Sequence, residues 1–294
     1  MIGIKEIPYY LRAYLGKHNK LSHKELTTGM IKMLDDKRAF VCGKIGGTEL
    51  WNLRAHEFSY QKQLEPAYRQ LCEWSGFFSD SGDVRADLEK FSDIMKNSIS
   101  YMDYINRWQY EKEEYFVKKY CKNDVKDIDW FGVVYEDKPI GEILRGRKVL
   151  AVTPFSETVK KQYARRELIM SDEYLPEFEL QTYRAVQTIA GNKDSRFKDW
   201  FEALDTMSKE IEKLDFDIAL VGCGAYSLPL CAAIKRTGRS AIHLGGDLQL
   251  LFGIMGKRWE DDELIQSLKN EYWVYPGKED IPKNSEQVED GCYW

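Results

Sequence analysis

The sequence predicts an α/β protein built on an open, mostly parallel sheet, and three observations carry that prediction. Short apolar runs of strand length alternate with longer segments of helical spacing. Several of these runs stop at glycine-rich turns. The stretch from Asp215 to Trp259 combines both features, as strand, glycine turn, helix, strand, glycine turn and helix. Two parallel strands joined by a crossover helix open their following turns at the carboxyl edge of the sheet, where ligands bind in such folds.

The first αβ unit begins at Arg38. Ala39 to Cys42 reads as a short buried strand, followed by Gly43-Lys44-Ile45-Gly46-Gly47, with Thr48 as N-cap of a helix holding Leu50 and Leu53. From about residue 60 to 145 the chain turns to charged, aromatic-studded helical segments. Asp80 or Ser81 is expected to cap a helix through Val84, Leu88, Phe91, Ile94 and Met95, and a further helix to run through Tyr104, Trp108 and Phe116. This region reads as a helical insertion, with no strand before Trp130, inside one domain spanning residues 1–294.

The sheet resumes at Lys148 to Thr153, stopped by Pro154, with Ser156 capping a helix through Val159 and Tyr163. Glu179 to Tyr183 is a further strand, and Trp200 to Leu214 a helix. Ile218 to Val221 is continuously apolar, as suits a strand buried on both faces. Gly222-Cys223-Gly224 breaks it, Leu228 to Ile234 forms the crossover helix, and Ala241 to Leu244 leads to Gly245-Gly246-Asp247. From Tyr272 onward, Pro276, Gly277, Pro282 and Gly291 interrupt any periodicity, so this segment reads as an ordered wrap or loop.

Composition narrows the function classes. A net charge of −5 gives no electrostatic reason for nucleic-acid binding. No apolar run reaches the roughly 18 residues that a membrane span needs, and MIGIKEIPYY lacks a signal-peptide core. The six cysteines form no CxxC pair and the four histidines no ligand spacing, which reads as reduced thiols in the cytoplasm rather than disulfides or zinc. Eighteen Tyr, thirteen Phe and eight Trp supply the flat apolar faces on which sugar rings pack.

The carboxyl-edge turns carry the candidate chemistry. Gly46, Gly47, Gly222, Gly224, Gly245 and Gly246 would let a diphosphate approach the backbone, with Thr48 and Ser156 donating from helix starts. Lys44, Lys257 and Arg258 would face the phosphates, although an exposed basic pair is ordinarily just solvated. Glu49, Asp247 and His243 are the candidate catalytic groups. Glu49 has a second reading, as an electrostatically comfortable acid complementing a helix dipole, and His243 has one as a hydrogen-bonded structural residue.

KIGGTEL at 44–50, VTPFSETVKKQY at 152–163, QTYRAVQTIAG at 181–191, the GCGAYSLPL and AIHLGGDLQLLFGIMGKRW blocks and the final GCYW together resemble a family of bacterial cell-surface polysaccharide proteins. That family is similar to the GT-D glycosyltransferases, so the resemblance implies a Rossmann-like GT-D fold, a nucleotide-sugar donor and a glycan or lipid-linked acceptor. It also implies a cytoplasmic enzyme, at the inner membrane face where peripheral contact or a homo-oligomer would serve it. The GT-D motif Arg-Phe-Gly-Asp-Gly-Glu, whose Asp and Glu bind metal and nucleotide, aligns with Lys44 to Glu49. Its Glu is kept as Glu49 and its Asp is replaced by Gly47. The resemblance therefore implies a manganese or magnesium site reduced to Glu49, alone or with Asp247; otherwise Lys44, Lys257 or Arg258 would balance the diphosphate without metal. A non-catalytic binding protein is the alternative. VGCGAY also resembles the first motif of S-adenosylmethionine methyltransferases, but His243-Leu244 stands where those enzymes carry an acidic residue.

Overall fold

The computed structural model of the chain describes residues 20–294 apart from 59, 109, 122–123, 129–138 and 289. His18 and the N-terminal segment read above, together with Trp130, lie outside the described residues. Among the described residues, seven strands form one sheet: β1 (Val41–Gly43), β2 (Tyr104–Asn106), β3 (Lys126–Ile128), β4 (Lys148–Thr153), β5 (Glu179–Arg184), β6 (Ile218–Val221) and β7 (Ser240–His243). Their order is β3-β2-β1-β7-β6-β4-β5, and every pairing is parallel, so the expected open sheet is present and its edge turns share one side.

The strands are buried on both faces because successive side chains alternate between two cores. Val41, Leu150, Val152, Ala219, Val221 and Ala241 face one core. Cys42, Val149, Ala151, Ile218, Leu220 and Ile242 face the other. The first face is covered by α2 (Gly47–Glu57), α3 (Gln61–Ser75), α4 (Val84–Ile99), α5 (Glu113–Tyr120), α9 (Trp200–Glu212) and α10 (Ser227–Arg236). The second is covered by α1 (His23–Asp35), α6 (Pro139–Leu144), α7 (Ser156–Tyr163), α8 (Arg166–Ile169), α11 (Asp247–Leu251) and α12 (Glu263–Leu268). No helix among the described residues is long and apolar enough to cross a membrane.

Four local expectations need correction. The middle region contains two strands of its own, and the helix read through Tyr104 and Trp108 is instead β2 followed by α5. Tyr104 is a strand residue because Cys42 of β1 pairs with it. Three residues are too few to show a period. The helix starts also shift. Asp83, not Asp80 or Ser81, caps α4 by accepting from the N–H groups of Arg85 and Ala86 at 3.1 and 3.0 Å, while Ser81 donates to Asp87 at 2.8 Å. Gly46 is the N-cap of α2, so Thr48 lies inside the helix. Ser156 is likewise the first residue of α7 rather than its cap. One helix went unread: α1 starts at a capping box in which Ser22 and Glu25 bond reciprocally.

Candidate functional site

The carboxyl ends of β1, β4, β6 and β7 open into a cavity of about 710 Å³, within the range of small-molecule sites. The turn after β1 contributes Lys44, Gly46, Gly47, Thr48 and Glu49, that after β6 Gly222 and Gly224, and that after β7 Gly245, Gly246 and Asp247. His243 and Arg258 also line it. Two candidates do not. Ser156 is buried beneath the β4 turn, which presents Thr153 and Phe155 instead. Lys257 points away, donating to the carbonyl of Asp290 at 3.0 Å. The chain's last segment closes one wall with Val288, Tyr293 and Trp294, so the wrap expected from Tyr272 onward is ordered and forms part of the site.

Glu49 is buried, at 8% exposure. Its carboxylate folds back over the start of α2, so that a methyl group at Gly46 would sit 2.0 Å from Oε2. A side chain at 46 would therefore displace the carboxylate. Burial raises the Glu49 carboxyl above its ordinary range, partly offset by its own backbone N–H, by the Ser75 hydroxyl and by the Lys44 charge. The expectation of an electrostatically comfortable acid is therefore overturned, because the side chain that reaches the helix start also leaves water. Ser75 was missed in the sequence. The one available signal was the Ser75-Gly76 helix stop, where Gly76 adopts φ 77° as the residue following α3.

Lys44 runs from the end of β1 toward the β7 turn, where a methyl group at Gly245 would lie 3.5 Å from its Nζ. The ammonium lies 5.1 Å from the centre of the Trp108 ring. Burial lowers the Lys44 amine; the charges of Asp247 and Glu49 oppose that shift and the charge of Arg258 adds to it. These four side chains thus form one electrostatic group. Arg258 is held at the rim over aromatic faces, 5.1 Å from the Tyr293 ring centre and 5.5 Å from that of Trp259.

His243 is buried, and its Nδ1 lies 3.2 Å from the Lys44 carbonyl. A carbonyl can only accept, so Nδ1 carries the proton. Burial, reinforced by the Lys44 charge, pushes the imidazole down to about 3. A base that weak does not take a proton efficiently near neutral pH. The geometry suits the structural reading, with His243 pinning the main chain of Lys44.

The glycine turns give shape more than donors. The N–H of Gly222 donates to Val152 and that of Gly245 to Val221, both within the sheet edge. The Cys223 N–H donates to Ser227 Oγ at 2.9 Å. Gly222 and Gly224 are needed because a methyl group at either would meet backbone oxygen, of Gly245 at 2.4 Å and of Ser75 at 2.5 Å. The aromatics of the middle region divide. Phe77 and Phe78 are core residues, whereas Trp74 and Trp108 line the cavity, as does Tyr110. Trp74 and Tyr110 are 38% and 44% exposed, enough to offer a face to a ligand.

A divalent metal does not fit these residues well. Among the described residues, no three His, Cys, Asp or Glu side chains converge. Position 47 is glycine, the Glu49 oxygens are engaged by its own N–H and Ser75, and the ammonium of Lys44 already faces both carboxylates.

Residues 131–251 match the family model of a GT-D fold-like domain. Within that match lie β4 to β7, the Gly222 and Gly224 turn, His243, Gly245, Gly246 and Asp247. Lys44 to Glu49 precede the matched residues and join them through the pairing of β1 with β7. Among solved structures, the selenomethionine-substituted structure of domain of unknown function 1792 is similar over 75% of this chain and 82% of its own, at 14% identity and a TM-score of 0.38. A likeness that weak says nothing about ligand or activity. No curated protein matches the chain.

Proposed function

We propose that this protein is a glycosyltransferase that moves a sugar from a nucleotide-sugar donor to a glycan or lipid-linked acceptor in cell-surface polysaccharide assembly. One observation supports the reading: strands of the segment that matches the GT-D fold-like model end at the cavity lined by Lys44, Arg258 and Asp247. The acceptor hydroxyl attacks the anomeric carbon as the bond from that carbon to the diphosphate oxygen breaks. The electron pair leaves on the nucleoside diphosphate, and the hydroxyl proton passes to the Asp247 carboxylate. A positioned general base contributes about 10²–10⁴-fold to such a step. Glu49 acts through Lys44 as a positioning residue, and Trp74 and Tyr110 fit the faces of an acceptor sugar. The same reading puts the reaction in the cytoplasm, at the inner membrane face for a lipid-linked acceptor.

The purified protein should be melted with a panel of nucleotide sugars and S-adenosylmethionine, then assayed for transfer to acceptor glycans. One nucleotide-sugar class is expected to raise Tm and to support turnover, and Asp247→Asn to lower kcat about 10²-fold. Stabilisation by S-adenosylmethionine alone would sink the reading. Binding of a nucleotide sugar with no transfer to any acceptor would leave a binding protein in its place.

A further inference from the structure

The group of charges at the junction of β1 and β7 says how the site meets a diphosphate. We propose that Lys44 and Arg258 together supply the positive charge that holds the nucleoside diphosphate, so that binding of this leaving group needs no divalent metal. The inference rests on the glycosyl-transfer reading and adds to it the identity of the counter-charge.

The geometry supports a built site rather than a chance lysine. Lys44 is fixed at its main chain by His243 at 3.2 Å. Its side chain crosses to the β7 turn, where Gly245 has φ +64°, and a side chain at 245 would come against Lys44 Cε and Nζ. Trp108 covers the ammonium on another side. Arg258 approaches from the C-terminal wall, its main-chain N–H bonded to Cys292 at 3.0 Å and its guanidinium resting on Tyr293. Both cations line the same cavity. Guanidinium and ammonium groups bind phosphate oxygens directly through charge-assisted hydrogen bonds.

A metal ion joining Glu49 and Asp247 would have to share their neighbourhood with the ammonium that both already face. Like charges at such range repel strongly once water is excluded. Glu49 also has its oxygens turned onto Ser75 and its own N–H, so the carboxylate that would anchor a cation is already engaged. As the sugar departs, the negative charge that develops on the diphosphate is stabilised in place by two fixed cations, with no proton moved to them.

The test is calorimetric titration of the full chain with UDP, GDP and dTDP, in EDTA and again in manganese, with Mn²⁺ alone titrated in parallel by electron paramagnetic resonance. The expected result is one diphosphate whose Kd differs by less than about 3-fold between the two buffers, and no tight Mn²⁺ site on the protein. Lys44→Met should weaken that Kd by about 10-fold or more in both buffers, with Lys44→Arg restoring most of it. Arg258→Met, on an exposed residue whose loss leaves the core intact, should weaken it as well. Binding that requires manganese, or tightens about 10-fold in it, overturns the inference and leaves the glycosyltransferase reading standing. Binding in EDTA that survives both methionine variants also overturns it. Failure of every diphosphate to bind in either buffer overturns both readings together.

Discussion

The glycine turns after β6 and after β1 look alike in sequence, yet different neighbours require their glycines. Gly222 and Gly224 are closed in by backbone oxygens of Gly245 and Ser75. Gly46 and Gly47 face side chains: a methyl group at 46 would meet the Glu49 carboxylate, and one at 47 would lie 3.3 Å from the Tyr110 ring. Backbone cannot yield without moving whole elements, whereas a side chain can turn aside. The β6–β7 floor of the cavity, which also holds the neutral His243, is therefore a feature of the fold. The β1 wall is an adjustable surface carrying charge. Changes in the floor should register as lost stability, and changes in the wall as lost function.

The largest effect is expected from His243. Its imidazole falls from an ordinary value of 6.5 to about 3 on folding, so the unfolded chain takes up the proton first as pH drops. Its contribution is present above pH 6.5 and is lost as pH falls toward 3, on the order of 5 kcal/mol in all. Urea melts across that window should show a shallower loss for His243→Gln than for wild type. Equal slopes would remove His243 from the floor.

Gly224→Ala comes next. Gly224 has φ +60°, and the new methyl group would meet the Ser75 carbonyl. The left-handed conformation and the overpacking together should cost about 3 kcal/mol, read as a lower urea midpoint. A loss under about 1 kcal/mol would mean that α3 can slide away from the turn.

Gly46→Ala sharpens the contrast. The clash there is with the end of a flexible glutamate, and φ of −62° suits alanine. Stability should change by less than about 1 kcal/mol, while displacement of Glu49 from beside Lys44 lowers kcat/KM about 10-fold. Combining it with Glu49→Gln should be non-additive. Additive losses would separate the two positions.

The smallest effect belongs to the stability of Glu49→Gln. The folded-state carboxyl lies above its unfolded value, so the stability that Glu49 lends is fully present below about pH 4.5 and is lost as pH rises through the folded value. Thermal melts should therefore show Glu49→Gln gaining on wild type as pH rises from 4 to 7, ending within about 1 kcal/mol. A variant less stable than wild type by the same margin at every pH would restore the helix-dipole account.

Legibility followed the same division. Val149 to Val152 and Ile218 to Val221 could be read because strands buried on both faces are apolar runs, here stopped soon after by proline or glycine. Tyr104 to Asn106 and Lys126 to Ile128 could not, since three residues carry no period and their pairing with β1 is long-range. Glu49 was found as a candidate from its place after two glycines. Its burial was not legible, because Ser75 at the end of another helix is what closes over it.

The sequence by itself determined the alternation of strand and helix, the glycine turns that end several strands, and the residue types offered there. Each is set by patterns within a few neighbouring residues. The tertiary structure alone decided which of those residues meet. It placed Lys44 beside Asp247 and Arg258, turned Lys257 out to Asp290, sank Ser156 beneath the β4 turn, and brought Tyr293 so near Gly246 that a methyl group there would lie 2.9 Å from its ring. Such contacts join positions far apart in the chain, and they arise from how β1 packs beside β7 and how the C-terminal wrap closes over both.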